Sequence, residues 1–349
     1  MRCQPFPEGR AASLLGFAFR RSPHTPPRMS APTTTRVRSY YGAEARARRW
    51  SYPSTRGEAQ ARYATEIIYM KDTKHTIEID VTTVLGKGAF GTVLAARDYA
   101  LERPQQAWSK AIKVIDTGDL RGRSVFANEC YIFEQMPVRG LANVVRYHAH
   151  GTQSDAREGY IVLDRLSGMT LDERLRADGP MSRDCALAAL RQVASAVVAL
   201  HACKLSPRDI KPHNIAIDEY ANVTLFDFGL AVHLPGRDTL VSIATGSHMF
   251  MAPEVLHGFT HDSFAADMWC VGQVFYNMLV GVPMFSHCDT APVLRDTNMP
   301  FRDVDCTLFP PCLLRDATCM TIFDGLLNTD AAFRWPARRL EKFLQKRGF

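Results

Sequence analysis

Leu85-Gly86-Lys87-Gly88-Ala89-Phe90-Gly91-Thr92-Val93-Leu94-Ala95-Ala96 is the stretch on which the fold turns. Three glycines at this spacing either open a helix in a doubly wound α/β sheet or form a hairpin whose backbone N–H groups cover phosphates. The residues after Gly91 separate the two readings. Thr92-Val93 starts with β-branched side chains, which favour a strand over a helix. Upstream, Thr76-Ile77-Glu78-Ile79-Asp80-Val81 alternates with the period of a strand. No acidic residue stands at a second strand end where a ribose would need one. The stretch therefore reads as strand, glycine turn, strand.

Outward from the hairpin, Lys110-Ala111-Ile112-Lys113-Val114-Ile115 is the next expected strand. A lysine among apolar strand residues needs a negative partner, and nucleotide phosphates supply one. A helical segment, Val125 to Met136, follows with Glu129 and Glu134 as candidate partners for Lys113. Glu129 is preferred, because Phe133 one turn later shares its inward face.

Further along, the motifs fall in one order. Pro207-Arg208-Asp209-Ile210-Lys211-Pro212-His213-Asn214 precedes Phe226-Asp227-Phe228-Gly229, then Gly246 to Ala252-Pro253-Glu254, then Asp267-Met268-Trp269-Cys270-Val271-Gly272, then Arg334. In this order the chain resembles the eukaryotic protein kinase family, Ser/Thr branch, over about residues 78–349. The resemblance implies an α+β, bilobal fold with a small antiparallel sheet lobe and a larger, mainly helical lobe. Five strands and one helix are expected over about 76–165, and the helical lobe over about 166–349, including a long helix from Ala186 to His201. Arg334 is expected to pair with Glu254.

Roles follow from the resemblance. Leu85, Gly86, Lys87, Gly88, Ala89, Phe90 and Gly91 would cover the ATP phosphates, the glycines allowing close backbone approach. Lys113 would hold the α- and β-phosphates, oriented by Glu129. Val93 and Ala111 would roof the adenine, Ala216 would lie below it, Leu163 would stand at the gatekeeper position, and Asp164 and Leu166 would flank the base. Asn214 and Asp227 are hard oxygen donors suited to Mg²⁺. Asp209 would take the proton of the attacking hydroxyl and Lys211 would steady the transferred phosphate, in a reaction that is mainly positioning and charge neutralisation. Lys211 and Ser247 resemble Ser/Thr kinases, so the expected product is a phosphoserine or phosphothreonine on a protein substrate. Arg208 beside Asp209 implies control by phosphorylation, with Ser242 or Thr245 preferred over Thr239 as the acceptor. Two departures stand out. Pro207 replaces the usual His or Tyr and donates no hydrogen bond, and Ala216 is smaller than the usual adenine support. A pseudokinase scaffold, binding partners without turnover, is the alternative reading.

Composition bounds the rest. The chain has 349 residues, 46% of them hydrophobic, which excludes a wholly disordered protein. Residues 1–63 hold 12 Arg, no Lys and 3 Glu, whereas the remainder holds 30 basic and 33 acidic residues. The positive charge thus belongs to a basic, mostly disordered tail, expected over 1–75, and no nucleic-acid-binding core is indicated. Met1 to Arg21 has a weak likeness to a mitochondrial presequence that a bare solvated tail explains better, and Met29 is an alternative start. The apolar run Met268 to Phe285 contains Gln273 and Asn277, as a core helix does, so no membrane span is expected. Nine cysteines without a C-x-x-C pair suit reduced thiols in the cytoplasm or nucleus.

Overall fold

The computed structural model describes residues 75–88, 91–98, 108–137, 140–152, 157–236, 240–285 and 309–349, with the backbone of 35–38 and 65–70. The hairpin reading holds. Strands β1 (Thr35–Arg38), β2 (Thr65–Met70), β3 (His75–Gly88), β4 (Gly91–Asp98), β5 (Lys110–Asp116), β6 (Tyr147–Thr152) and β7 (Glu158–Asp164) form one sheet in the order β1-β2-β3-β4-β5-β7-β6. Gly88 faces Gly91 and Lys87 faces Thr92, so β3 and β4 pair antiparallel up to these two glycines. Ala89 and Phe90 lie outside the described residues, as do Thr239 and the candidate targeting stretch.

The expected five strands are β3, β4, β5, β7 and β6; β2 and β1 extend that sheet at its β3 edge. Strands β1 and β2 of this sheet lie before residue 76. Thr65–Met70 pairs antiparallel with His75–Asp80, and Ile68, 2% exposed, joins Ile77, Ile79 and Ile112 in the core of this lobe. The β-branched and aromatic residues of Thr65–Met70 suit a strand, and its place in the sheet is fixed by pairing with β3.

Helix α1 (Leu120–Glu134) crosses the sheet. It starts five residues before Val125 because the Asp119 side chain accepts from the Gly122 N–H at 2.7 Å, satisfying an otherwise unpaired donor of the first turn. Its Phe126, Glu129, Cys130 and Phe133 turn inward, as the shared face of Glu129 and Phe133 required.

The second lobe is built on α2 (Leu171–Asp178), α3 (Arg183–Ala202), α4 (Pro253–Leu256) and α5 (Ser263–Val280), with further helices at Ala317–Leu326 and Ala337–Lys346. Thr170 and Glu173 cap α2 reciprocally, Ser182 caps α3 and Asp262 caps α5. Helix α5 is the run expected to be a core helix, and Trp269, Val271, Val274, Phe275 and Met278 on it have no exposed surface. Each such side chain contributes about 1.5–3 kcal/mol on burial. Helix α3 is long and apolar enough to cross a membrane. Its Leu187, Leu190, Val193, Val197 and Leu200 are instead buried in the lobe.

Candidate active site

Lys113 lies in the middle of β5, where strand alternation puts it on the same face as Ala111 and Ile115 and opposite Ile112 and Val114. It is 8% exposed, and its Nζ donates to Glu129 Oε2 at 2.7 Å and Oε1 at 2.9 Å, and to Asp227 Oδ1 at 2.9 Å. Burial alone would lower the ammonium, but the charges of Glu129 and Asp227 outweigh it and hold Lys113 above its ordinary value. Burial likewise pushes the Asp227 carboxyl up; Lys113 and the Gly229 backbone N–H more than offset this, so Asp227 lies below the ordinary range. The trio is a charged cluster joining sheet, α1 and the second lobe, with Glu129 as expected and Glu134 not involved.

Two non-glycine residues near it have left-handed backbone, Arg208 at φ 60° and Asp227 at φ 66°. Such conformations persist only where surroundings over-determine them, and here the surroundings are visible. Asp267, 1% exposed on α5, accepts from the Arg208 N–H at 2.9 Å, Ser206 Oγ at 2.6 Å and His201 Nε2 at 2.9 Å. Arg208 Nε in turn donates to the Leu230 carbonyl at 2.8 Å. The loop is thus fastened by Asp267, and Pro207 sits buried within it.

Asp209 is held at both carboxylate oxygens. Oδ2 accepts from Lys211 Nζ at 2.7 Å and Asn214 Nδ2 at 3.1 Å, and Oδ1 accepts from the Ser247 N–H at 2.9 Å. Lys211 Nζ also donates to Ser247 Oγ at 2.6 Å. Asn214 spends its amide N–H groups on Asp209, which leaves its carbonyl oxygen as the donor atom for a hard cation. Arg334 grips Glu254 with two nitrogens at 2.7 and 3.0 Å and the Ala265 carbonyl at 2.8 Å, the pairing expected from the sequence.

Residues 79–342 match the family described as "Protein kinase domain". The chain belongs to the protein kinase family. Similar proteins include "Serine/threonine-protein kinase Sgk1" of Rattus norvegicus, 30% identical over 259 residues, 73% of this chain and 56% of that protein. The Sgk1 proteins of Gallus gallus and Homo sapiens are each 32% identical over 258 residues, with the same shares covered. The chain thus spans a little over half the length of these curated relatives.

Within the kinase domain, the glycines divide by cause. Among the described residues, a Cβ at Gly86 would meet nothing within 4 Å, and one at Gly88 only the Gly91 carbonyl at 3.9 Å. Among those residues, these two face open space. At Gly91 a Cβ would lie 2.2 Å from the Val114 carbonyl, so packing against β5 dictates that glycine, rather than approach to a phosphate.

The expected adenine-side residues lie on or beside β4, β5, β7 and the short strand Ile215–Ile217. Ala111 pairs with Ala95 and Leu163 across the sheet, Val93 pairs with Lys113, and Ala216 is 7% exposed on the short strand Ile215–Ile217. Leu163 is 9% exposed, and Leu166 is half-buried just beyond β7. The Asp164 side chain accepts from Lys110 Nζ at 3.0 Å and from His148 Nε2 at 2.6 Å. Its Oδ1 is thus held from β5 and β6. Leu85 and Lys87 are exposed on the hairpin. Thr245 lines one cavity with Arg208, Asp209 and Ser247, whereas exposed Ser242 shares a hydrogen bond with Thr260 at 3.0 Å.

Several contributors had no sequence signal. Asn128, beside Glu129, donates to the Ala231 carbonyl at 3.1 Å and Tyr131 bonds His233 at 2.9 Å, tying α1 to the segment after Phe228-Gly229. Ser206 and His201 support Asp267 from positions that read as ordinary core and helix end.

Proposed function

We propose that this kinase domain transfers the γ-phosphoryl group of ATP to serine or threonine hydroxyls of protein substrates. The carrying observation is the Lys113 ammonium bridging Glu129 and Asp227 at 2.7 and 2.9 Å. That bridge supports reading Lys113 as the phosphate-binding cation and Asp227 as the metal-binding carboxylate of one site. Asp227 and the free Asn214 oxygen fit Mg²⁺, and Lys113 with the open backbone of Gly86 and Gly88 fits the ATP phosphates. When bound, Mg·ATP supplies the transferable phosphoryl group with its oxygen charge neutralised.

The chain's own groups do the positioning. The Asp209 carboxylate, fixed by Lys211, Asn214 and the Ser247 N–H, orients the acceptor hydroxyl and takes its proton. The Lys211 Nζ between Asp209 and Ser247 offers positive charge where the transferred group develops negative charge. Lys211 and Ser247 in contact, together with the names of the Sgk1 relatives, support Ser/Thr acceptors. Helix α1 held against the segment after Asp227 supports a competent arrangement. Phosphorylation of Thr245 fits regulation best, because it shares a cavity with Arg208.

The test is Mg·ATP-dependent transfer to a generic protein substrate, with phosphoamino-acid analysis. Wild type is expected to yield phosphoserine or phosphothreonine, and Asp209→Asn and Lys113→Met none. Folded wild-type protein that transfers nothing under several activating conditions would instead make the domain a pseudokinase scaffold.

A further inference from the structure

The helix Ala337–Lys346 carries an outward face whose charge nothing in the described chain balances. Arg338, Lys342 and Lys346 recur at four-residue spacing with Arg339 beside them, and all four are exposed. Like charges at i and i+4 repel one another. Arg338 and Arg339 also sit in the first turn, where the helix dipole disfavours cations, and that turn holds no acidic residue. Among the described residues none of the four forms an ion pair with a carboxylate. Two local rules are broken on one face, the pattern expected where function and not folding sets the residues.

The same four cations line an open groove of about 600 Å³ between this helix and Thr321 on the neighbouring helix. Its floor is apolar. Trp335 is 9% exposed, Phe343 is half-buried against the core, and the two rings lie 5.1 Å apart. The Arg339 guanidinium stacks 4.6 Å over Trp335, which leaves its N–H edge free to grip a carboxylate. Glu341, the helix's acidic residue, does not line the groove.

We propose that this groove is a docking site for an acidic segment of a partner protein, with carboxylates alternating with apolar side chains. The cations would meet the carboxylates, and the aromatic floor would take the apolar side chains between them. Floor aromatics also argue against other anionic surfaces. Rings buried in a groove cannot insert into a bilayer, nor do they form an exposed platform on which bases stack. No groove residue belongs to the Lys113–Asp209 site, so docking would raise the local concentration of a partner without touching the chemistry.

The full chain is titrated against a fluorescein-labelled peptide in which Glu and Asp alternate with Leu and Phe. Its Gln/Asn analogue, phosphatidylserine vesicles and single-stranded RNA are titrated in parallel. Saturable binding of the acidic peptide is expected, falling as salt rises. Arg338→Glu combined with Lys342→Glu and Lys346→Glu should weaken it by at least about tenfold, with melting and phosphate transfer unchanged. If that variant does not fold, Lys342→Gln with Lys346→Gln must show a graded loss. The proposal is overturned by absence of saturable binding, by equal binding of the uncharged analogue or the variants, or by binding of vesicles or RNA alone. Because the readout is binding, its failure is separable from absence of kinase activity.

Discussion

Gly246 shows how a single position can join two loops. Its φ is +122°, and a Cβ there would sit 2.6 Å from the Arg208 carbonyl. The next residue, Ser247, supplies the N–H that holds Asp209 and the hydroxyl that receives Lys211. Gly246→Ala should therefore push the activation segment off the catalytic loop. We expect phosphate transfer to fall about a hundredfold, the scale of an ångström-sized misplacement. Stability should fall by only about 1–3 kcal/mol, so a cooperative melt with near-wild-type activity would refute the argument. Gly91 teaches a different lesson at the same scale: its part in the glycine pattern is visible in sequence, but its cause is the Val114 carbonyl on the adjacent strand.

At the scale of elements, α1 matters because it carries Glu129, and its position is set by what its outer face holds. Asn128 and Tyr131 clasp the segment Gly229–His233, while Phe133 packs edge-on against Phe228 with ring centroids 5.7 Å apart and stacks on Tyr147 at 5.1 Å. Phe228 is 1% exposed, so the aromatic column persists although Pro207 contributes no ring to it. Asn128→Ala removes its two bonds, to the Gly229 carbonyl at 3.5 Å and the Ala231 carbonyl at 3.1 Å, each worth at most about 0.5–1.5 kcal/mol. The expected result is faster hydrogen exchange across Leu120–Glu134 and a several-fold rise in KM for ATP, with a smaller change in kcat. Unchanged exchange in α1 would show that packing alone positions it.

For the whole molecule, pH reports how the lobes are held. The folded protein lowers the carboxyls of Asp80, Asp218, Asp227 and Asp316 below their ordinary value of 3.8. For Asp316, burial works upward but is outweighed by the Cys319 backbone N–H and by Arg183, which reaches it from the first turn of α3. A carboxyl lowered by folding contributes stability above its unfolded value and loses it as pH falls through the folded value. Urea midpoints should therefore hold near neutrality and drop below about pH 4, with a shallower drop in Asp316→Asn. A variant with the full wild-type acid slope would remove Asp316 from the account. The Arg334–Glu254 pair, with no exposed Arg334 side-chain surface, ties the activation segment to the far end of the lobe. Such a pair loses about 3–5 kcal/mol when one partner is removed.

What the sequence determined by itself was whatever rests on local spacing and residue chemistry. The β-branched start after Gly91 made the hairpin, the shared face of Glu129 and Phe133 chose the partner of Lys113, and the ordered motifs placed Asp209, Asn214, Asp227 and the Arg334–Glu254 pair. Tertiary structure alone decided the rest. Ile68 joined the sheet because burial beside Ile77 rewards it, Asp164 turned its carboxylate to Lys110 and His148, and Asp267 became the fastening of the catalytic loop. Those outcomes depend on which groups meet from distant parts of the chain. A buried donor or acceptor must find a partner wherever the fold brings one, and no local pattern records that meeting.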